Sequence, residues 1–374
     1  MRHSSENKVD GIVLVPEDTQ EYLNPRQEVT YREHRREMCE WLLALGKNPD
    51  KAEGYSHSTV ENRMNRLDLF YRFVWDRKGR YVQDLGTKEA DDWMQHLATE
   101  EMKESTKCHY QKSVKTLFKW KRHARNKNIQ WDPEIEYSDP STTYSPRDYL
   151  TQDDRKRLRE AAMEYGSVPH YNSVSPDERK RWKRYLSQKL QKPMDEVSMK
   201  DWERVNSFKY TSMIHVALDA GLRPIEVKRS NVQWVDTENA VLRIPREESS
   251  KNRENWIVAL KEETASILKR WLDERETREK YDGRDALWLT MYGNRYNKDS
   301  FRDVFRKIAS EAELDLENRD LTPYSIRHST ATYVAEEEGL AVAAAQCRHK
   351  SKRTTEKYEH SSVTRQSDAV NNID

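Results

Sequence analysis

The chain has 374 residues, 35% hydrophobic and 35% charged, long enough for two domains and periodic enough in its apolar positions to fold rather than stay disordered. No apolar run reaches membrane-spanning length, and the polar opening stretch Met1–Gly11 does not read as a secretory leader. Cys39, Cys108 and Cys347 are far apart in no metal-ligand spacing, which fits a reducing, cytoplasmic protein rather than a disulfide scaffold. The 66 Lys and Arg against 65 Asp and Glu give a net charge of +1, which leaves nucleic-acid binding open because such binding depends on where the charges lie.

In chain order, residues 1–28 show little periodicity, hold Pro16 and Pro25, and read as a mobile arm. A first helix is predicted from Thr30 to Leu45, with Met38, Leu42 and Leu45 on one face and Gly46 as its stop. Ser58-Thr59-Val60-Glu61 reads as a capping box opening a second helix, in which Val60, Met64, Leu67, Tyr71 and Val74 recur at helical spacing. Thr87 is the expected cap of a third, with Ala90, Trp93, Met94 and Leu97 inside. The fourth runs from Ser105 to Arg125: Tyr110, Val114, Leu117 and Ala124 share one face, and Lys112, Lys115, Lys119 and Arg122 the other. A solvated face normally mixes signs, yet no acid occurs between Glu104 and Asp132, so the stripe is a candidate DNA-binding face that neutralises phosphates and fixes position.

Residues 139–149, with Pro140, Pro146 and small polar side chains, read as a linker. A helix start follows at Thr151-Gln152-Asp153-Asp154. Ser175-Pro176-Asp177-Glu178 is a strong second start and leads into the basic run Arg179, Lys180, Arg181, Lys183, Arg184, with a further start at Ser198 and Asp201. A helix is predicted over Thr211–Asp219, then strands at Val232–Val235, Val241–Ile244 and Trp256–Ala259, which would form a small antiparallel sheet. The remainder reads as helices at Glu263–Glu276, Ser300–Glu311 and Ile326–Glu337, with a short one before Tyr358.

Four clusters in the second half carry the chemistry. They are Gly221-Leu222-Arg223-Pro224-Ile225-Glu226; Lys251 in the turn between the second and third strands; Thr322-Pro323-Tyr324-Ser325-Ile326-Arg327-His328-Ser329; and Arg348-His349-Lys350-Ser351 leading to Thr354-Thr355-Glu356-Lys357-Tyr358. Taken singly each is ordinary: a surface arginine, an exposed turn lysine, a lone histidine, one of 19 tyrosines. In this order and spacing they resemble the dispersed active site of the tyrosine recombinases, the phage-integrase family. The resemblance is detailed over residues 211–360 and architectural only over 29–145. The Tyr-Ser-Ile-Arg-His-Ser and Arg-His-Lys-Ser variants look most like integrases of archaeal viruses and plasmids.

The resemblance implies a mainly α fold with a small antiparallel β-sheet: an N-terminal four-helix core-binding (SAM-like) domain over 29–138 and an α+β catalytic domain over 150–361. Residues 166–206 would be a helical insertion in the second domain, able to touch DNA or a neighbouring subunit or simply to elaborate the surface, and 362–374 a C-terminal tail. Arg223 and Arg327 would clamp the scissile phosphate, a task for which a permanently charged planar guanidinium is suited. His349, nine positions before Tyr358, would hydrogen-bond the same phosphate. Glu226 and His328 would support the site. Lys251 would protonate the 5′-hydroxyl leaving group, with Arg253 and Lys261 as competitors for that role, and Tyr358 would be the nucleophile.

Two departures stand out. Where most members have histidine three residues before the second arginine, this chain has Tyr324, a phenol able to donate to a phosphate oxygen but a poor base near neutrality. Where Leu-Gly usually precedes the histidine, it has Cys347-Arg348. The implied function is a site-specific DNA recombinase or integrase working through a 3′-phosphotyrosine, with no metal and no cofactor. Its partners would be double-stranded DNA with inverted half-sites, a homo-tetrameric synapse formed from monomers or dimers, and accessory DNA-bending proteins; no membrane is involved, and the setting is cytoplasmic and nucleoid-associated. The rivals are a type IB topoisomerase, a non-catalytic DNA-binding regulator descended from an integrase, and an all-α interaction protein with chance motifs.

Overall fold

The computed structural model describes residues 6–138, 149–166, 168–203, 205–249 and 254–349. The chain divides into two compact units, Met1–Ser145 and Pro146–Asp374. Of the segment read as a linker, 139–148 lies outside the described residues, as do Lys251, Tyr358 and the 362–374 tail.

The first unit is built on α1 (Pro25–Ala44), α2 (His57–Lys78), α3 (Thr87–Thr99) and α4 (Glu104–Ala124). α1 starts before its apolar periodicity does, because Asn24 and Gln27 form a reciprocal capping box, with Gln27 N donating to Asn24 Oδ1 at 2.9 Å and Asn24 N to Gln27 Oε1 at 3.0 Å. The box expected at Ser58 is displaced: Ser56 holds the N-cap position of α2 and its hydroxyl meets that of Thr59 at 2.9 Å. At α3 the cap is Gly86, whose N–H donates to Glu89 Oε2 at 2.7 Å, and Thr87 is the first helical residue.

The mobile-arm expectation is corrected for residues 6–28. β1 (Lys8–Val9) and β2 (Ile12–Val13) form a hairpin in register Lys8↔Val13 and Val9↔Ile12. Its turn is Asp10-Gly11, both with positive φ (49° and 88°), the turn geometry that matches strand twist. Ile12, Leu14 and Val15 are buried in the same core as Tyr31, Met38, Leu67 and Trp120. Thr19, fully buried, donates to Asp68 Oδ2 at 2.7 Å. Strands of two residues are too short to show alternation, so only the Asp-Gly dipeptide signalled them.

The second unit surrounds a buried helix. It comprises α5 (Gln152–Glu164), α6 (Pro176–Leu190), α7 (Met199–Glu203), α8 (Phe208–Ala220), α9 (Pro224–Arg229), β3 (Val235–Asp236), β4 (Val241–Ile244), β5 (Trp256–Ala259), α10 (Glu262–Arg275), α11 (Lys298–Glu311), α12 (Pro323–Glu338) and α13 (Leu340–Gln346). Every residue of α8 from Thr211 to Ala220 is buried, and the helix packs against α5, α10 and α12. β3, β4 and β5 form an antiparallel sheet in which Leu242 pairs with both Val235 and Val258. The first predicted strand is largely a 3₁₀ turn, Val232–Trp234, with pairing confined to Val235–Asp236.

α6 and α7, in the segment read as an insertion, have a small core of their own, centred on Trp182, Leu186 and Trp202. It is anchored through Arg278, whose guanidinium lies over the Trp182 ring at 5.1 Å and pairs at 2.6 Å with Glu274, which in turn accepts from Ser207 Oγ at 2.6 Å and Phe208 N at 2.7 Å at the start of α8. That is the opposite end of α8 from Gly221, about 20 Å away along the helix axis. This anchor of the segment therefore lies at the other end of α8 from the arginine cluster.

Candidate active site

Three chain segments converge at the C-terminal end of α8. The first is the turn Ala220-Gly221-Leu222-Arg223. Gly221 has φ 55°, and a Cβ there would lie 3.1 Å from Cys347 Sγ, so both conformation and space call for glycine. Arg223 is the N-cap residue of α9, with its N–H on Glu226 Oε2 at 2.7 Å and its Nη1 on Glu226 Oε1 at 3.0 Å. Its Nη2 donates to the Arg348 carbonyl at 3.1 Å, and its side chain remains 23% exposed.

The second segment is the start of α12. Arg327, 3% exposed, donates through Nη1 to the Gly221 carbonyl at 2.7 Å and through Nη2 to the Cys347 carbonyl. Burial, with the nearby charges of Arg223 and Arg348, draws its guanidinium down to about 10, still protonated at neutral pH. Tyr324 is one turn earlier on the same helix and 41% exposed. His328 is half-buried at the next position.

The third segment follows α13. Gln346 donates to the carbonyls of Asp219 at 2.9 Å and Ala259 at 2.8 Å, tying this segment to α8 and β5. Arg348 sits in left-handed backbone, φ 55°, and its side chain is buried against Glu226, Nη2 to Oε2 2.7 Å and Nε to Oε1 3.2 Å. His349 is buried, and its pKa is pushed down to about 3 by burial and by the charges of Arg327, Arg223, Arg348 and His328. It is therefore a neutral imidazole at working pH. Burial alone would raise the carboxyl of Glu226, but Arg348, Arg223 and Arg327 together hold it at about 2.

Arg223, Glu226, Arg327, His328 and His349 are thus brought together, with Tyr324 at the rim. Lys251 and Tyr358 lie outside the described residues. The β4–β5 connection that carries Lys251 is tied to α9 on its near side: Arg229 Nη1 donates to the carbonyls of Glu248 at 3.2 Å and Ser249 at 2.8 Å. Of the two competitors, Lys261 caps the start of α10, and its N–H donates to Asp219 at 2.9 Å; Arg253 lies outside the described residues. Reading the sequence gave Arg348 no role. The available signal was Glu226, a carboxylate one turn past an arginine in an apolar stretch, which needs more than one counter-charge once buried.

In the first unit the basic stripe is partly corrected. Lys112, Lys115 and Arg122 are exposed on α4, but Lys119 points its ammonium at the carbonyls of Gly46 (2.9 Å) and Lys47 (3.0 Å), which follow the end of α1. Lys115 also meets Glu136 at 3.2 Å. Ala124, expected on the apolar face, is exposed at the last turn, and Lys121 is buried in its place with its ammonium on Asp84 at 2.9 Å.

Residues 188–365 match the family model described as the phage integrase family. This part of the chain is thus similar to the phage integrase family. Over 174 residues the chain is 27% identical to the tyrosine recombinase XerA of Saccharolobus solfataricus, covering 45% of this chain. The match spans 52% of that relative's length, about half. Among solved structures, the XerH site-specific recombinase on a palindromic difH substrate, a post-cleavage complex, superposes with TM-score 0.56 at 17% identity, covering 94% of this chain and 92% of that one. The Tn1549 transposon integrase with transposon right end DNA gives 0.53 at 15% identity, with 89% and 98% covered. A lambda integrase dimer bound to a COC' core site gives 0.52 at 12% identity, with 91% and 82% covered. At these identities the likeness shows the fold alone.

Proposed function

We propose that the protein is a site-specific DNA recombinase that cuts and rejoins duplex DNA through a 3′-phosphotyrosine. The observation that carries the reading is the convergence of Arg223, Arg327 and neutral His349 around one buried carboxylate, leaving an excess of positive charge where an anionic phosphate would bind. Arg223 and Arg327 hold the nonbridging oxygens, and His349 donates a hydrogen bond; Tyr324 adds a phenolic donor at the rim. Tyr358 Oη attacks phosphorus as the bond to the 5′-oxygen breaks, and Lys251 gives that oxygen its proton. The Tyr358 proton passes to His349, whose basicity the negative charge of the bound phosphate raises against both its burial and the guanidiniums around it. Religation reverses these steps.

The relatives' DNA complexes support duplex DNA as the substrate. Inverted half-sites, a four-protomer synapse, accessory bending proteins, a contribution of Lys112, Lys115 and Arg122 to phosphate binding, and a nucleoid-associated cytoplasmic setting belong to the same proposal. The test uses supercoiled plasmids with none, one or two copies of the DNA flanking the gene. A recombinase exchanges strands only where two copies are present. Relaxation of every plasmid alike would point to a topoisomerase, and binding without any product to a non-catalytic regulator.

A further inference from the structure

We propose that Arg348 is a positioning residue: by saturating the buried Glu226 carboxylate it keeps the guanidinium of Arg223 available to the phosphate. The proposal deepens the recombinase reading and rests on it for the identity of that phosphate.

Arg348 cannot itself be a phosphate ligand. Its five N–H donors are all committed: Nε and Nη2 to the two oxygens of Glu226, Nη1 to the carbonyls of Ala220 (2.8 Å) and Gln346 (2.7 Å), and Nη2 also to Gly221 (3.1 Å). Its side chain is 1% exposed, as is that of Glu226. Arg223 is the opposite case. Nη1 and Nη2 make one bond each, and the side chain is 23% exposed.

The charge arithmetic explains why a second arginine is needed. A buried carboxylate one turn from a phosphate-binding arginine competes with the phosphate for that arginine. With Arg223 as its one close partner, Glu226 would draw both arms of the fork onto itself. Arg348 engages both carboxylate oxygens, so Glu226 can orient Arg223 through the backbone N–H and one Nη without neutralising it. The four groups Arg223, Arg327, Arg348 and Glu226 then carry two net positive charges instead of one. Arg348 does this from left-handed backbone, where glycine is the unstrained residue, and its buried pairing offsets that strain. Its bonds to Ala220 and Gly221 also hold the turn that presents Arg223.

The experiment compares the full-length wild type with Arg348→Met, Arg348→Lys and the double variant Arg348→Met/Glu226→Gln. It reads single-turnover formation of the covalent adduct on nicked flanking duplex, and the Kd for the same duplex. Arg348→Met should slow adduct formation roughly 100-fold while changing Kd less than about 3-fold. The double variant, which removes the competing carboxylate, should recover at least about 10-fold of that loss. Arg348→Lys should stay slow, since an ammonium cannot span both carboxylate oxygens. Wild-type rates in Arg348→Met, or a double variant no faster than the single, would overturn the proposal. Should Arg348→Met fail to fold, the double variant is compared with Arg348→Lys, and a slower double overturns it. Should the wild type form no adduct, the recombinase reading fails by itself. The comparison then uses the thermal upshift produced by inorganic phosphate: a shift in wild type and double but not in Arg348→Met supports the proposal, and equal shifts in all overturn it.

Discussion

Arg155 on α5 donates to the Ser329 hydroxyl on α12 at 2.6 Å, and with its other arm to the carbonyl of Leu218 on α8 at 2.8 Å. The same Nη1 reaches Thr330 Oγ1 at 3.1 Å. One guanidinium thus joins the helix that carries Arg327 to the helix that leads to Arg223, and burial draws its pKa down to about 10. Arg155→Met should destabilise the second unit by about 2–3 kcal/mol, the range for hydrogen bonds made by a charged donor, as read by urea unfolding. It should also slow cleavage without weakening DNA binding. A loss below about 0.5 kcal/mol would mean that packing alone sets α12.

The first unit holds a buried ion pair. Arg35 and Asp68 are 0% and 1% exposed with Nη1 3.5 Å from Oδ1, and Asp68 also accepts from Thr19 and Tyr31. Asp68→Ala should cost about 3–5 kcal/mol, because it leaves a guanidinium buried without its counter-charge. It should also release the N-terminal hairpin, seen as faster amide exchange over residues 12–19. Unchanged exchange there would show that the apolar contacts of Ile12 and Leu14 suffice.

The stripe on α4 separates into two kinds of lysine. Alanine at Lys112, Lys115 or Arg122 should each lower the slope of log K against log salt for duplex binding by about 1 and leave stability unchanged. Lys119→Ala should chiefly lower the stability of the first unit, because the carbonyls of Gly46 and Lys47 lose their donor. Equal salt slopes in all four variants would remove α4 from the DNA face.

Acid should destabilise the protein before its carboxylates titrate. Burial, more than neighbouring charges, pushes His34 down to about 3, His215 to about 4 and His349 to about 3. With folded values below the unfolded 6.5, the unfolded chain binds more protons between them. The stabilisation is full above pH 6.5 and is lost as pH falls towards 4 and 3. By pH 5 each contributes a loss of about 2 kcal/mol, so the Tm should fall between pH 7.5 and 5. His215→Asn should flatten the fall in the second unit. A Tm independent of pH over that window would contradict the burial of neutral imidazoles.

What the sequence revealed followed periodicity and spacing. Most of the longer helices of both units and the strands at 241–244 and 256–259 were legible because apolar faces repeat, while the grouping of Arg223, Arg327 and His349 was implied by the family resemblance rather than by periodicity. Three features escaped for physical reasons. The hairpin at 8–13 is shorter than any period. Lys119 resembles its exposed neighbours in spacing, and only the three-dimensional end of α1 shows that it serves as a cap. Arg348 reads as a departure at a glycine position, and its partner Glu226 lies 122 residues away along the chain.

The most direct test of the account is to trap the covalent intermediate. Full-length protein is incubated with nicked duplexes cut from its own flanking DNA, so that a cleaved fragment diffuses away, and the products are run on a denaturing gel. The account predicts a protein–DNA band that is lost in Tyr358→Phe and strongly reduced in Arg223→Ala and Arg327→Ala. A band that survives Tyr358→Phe would contradict the assigned nucleophile, and specific binding with no band at all would contradict the phosphotyrosine chemistry itself.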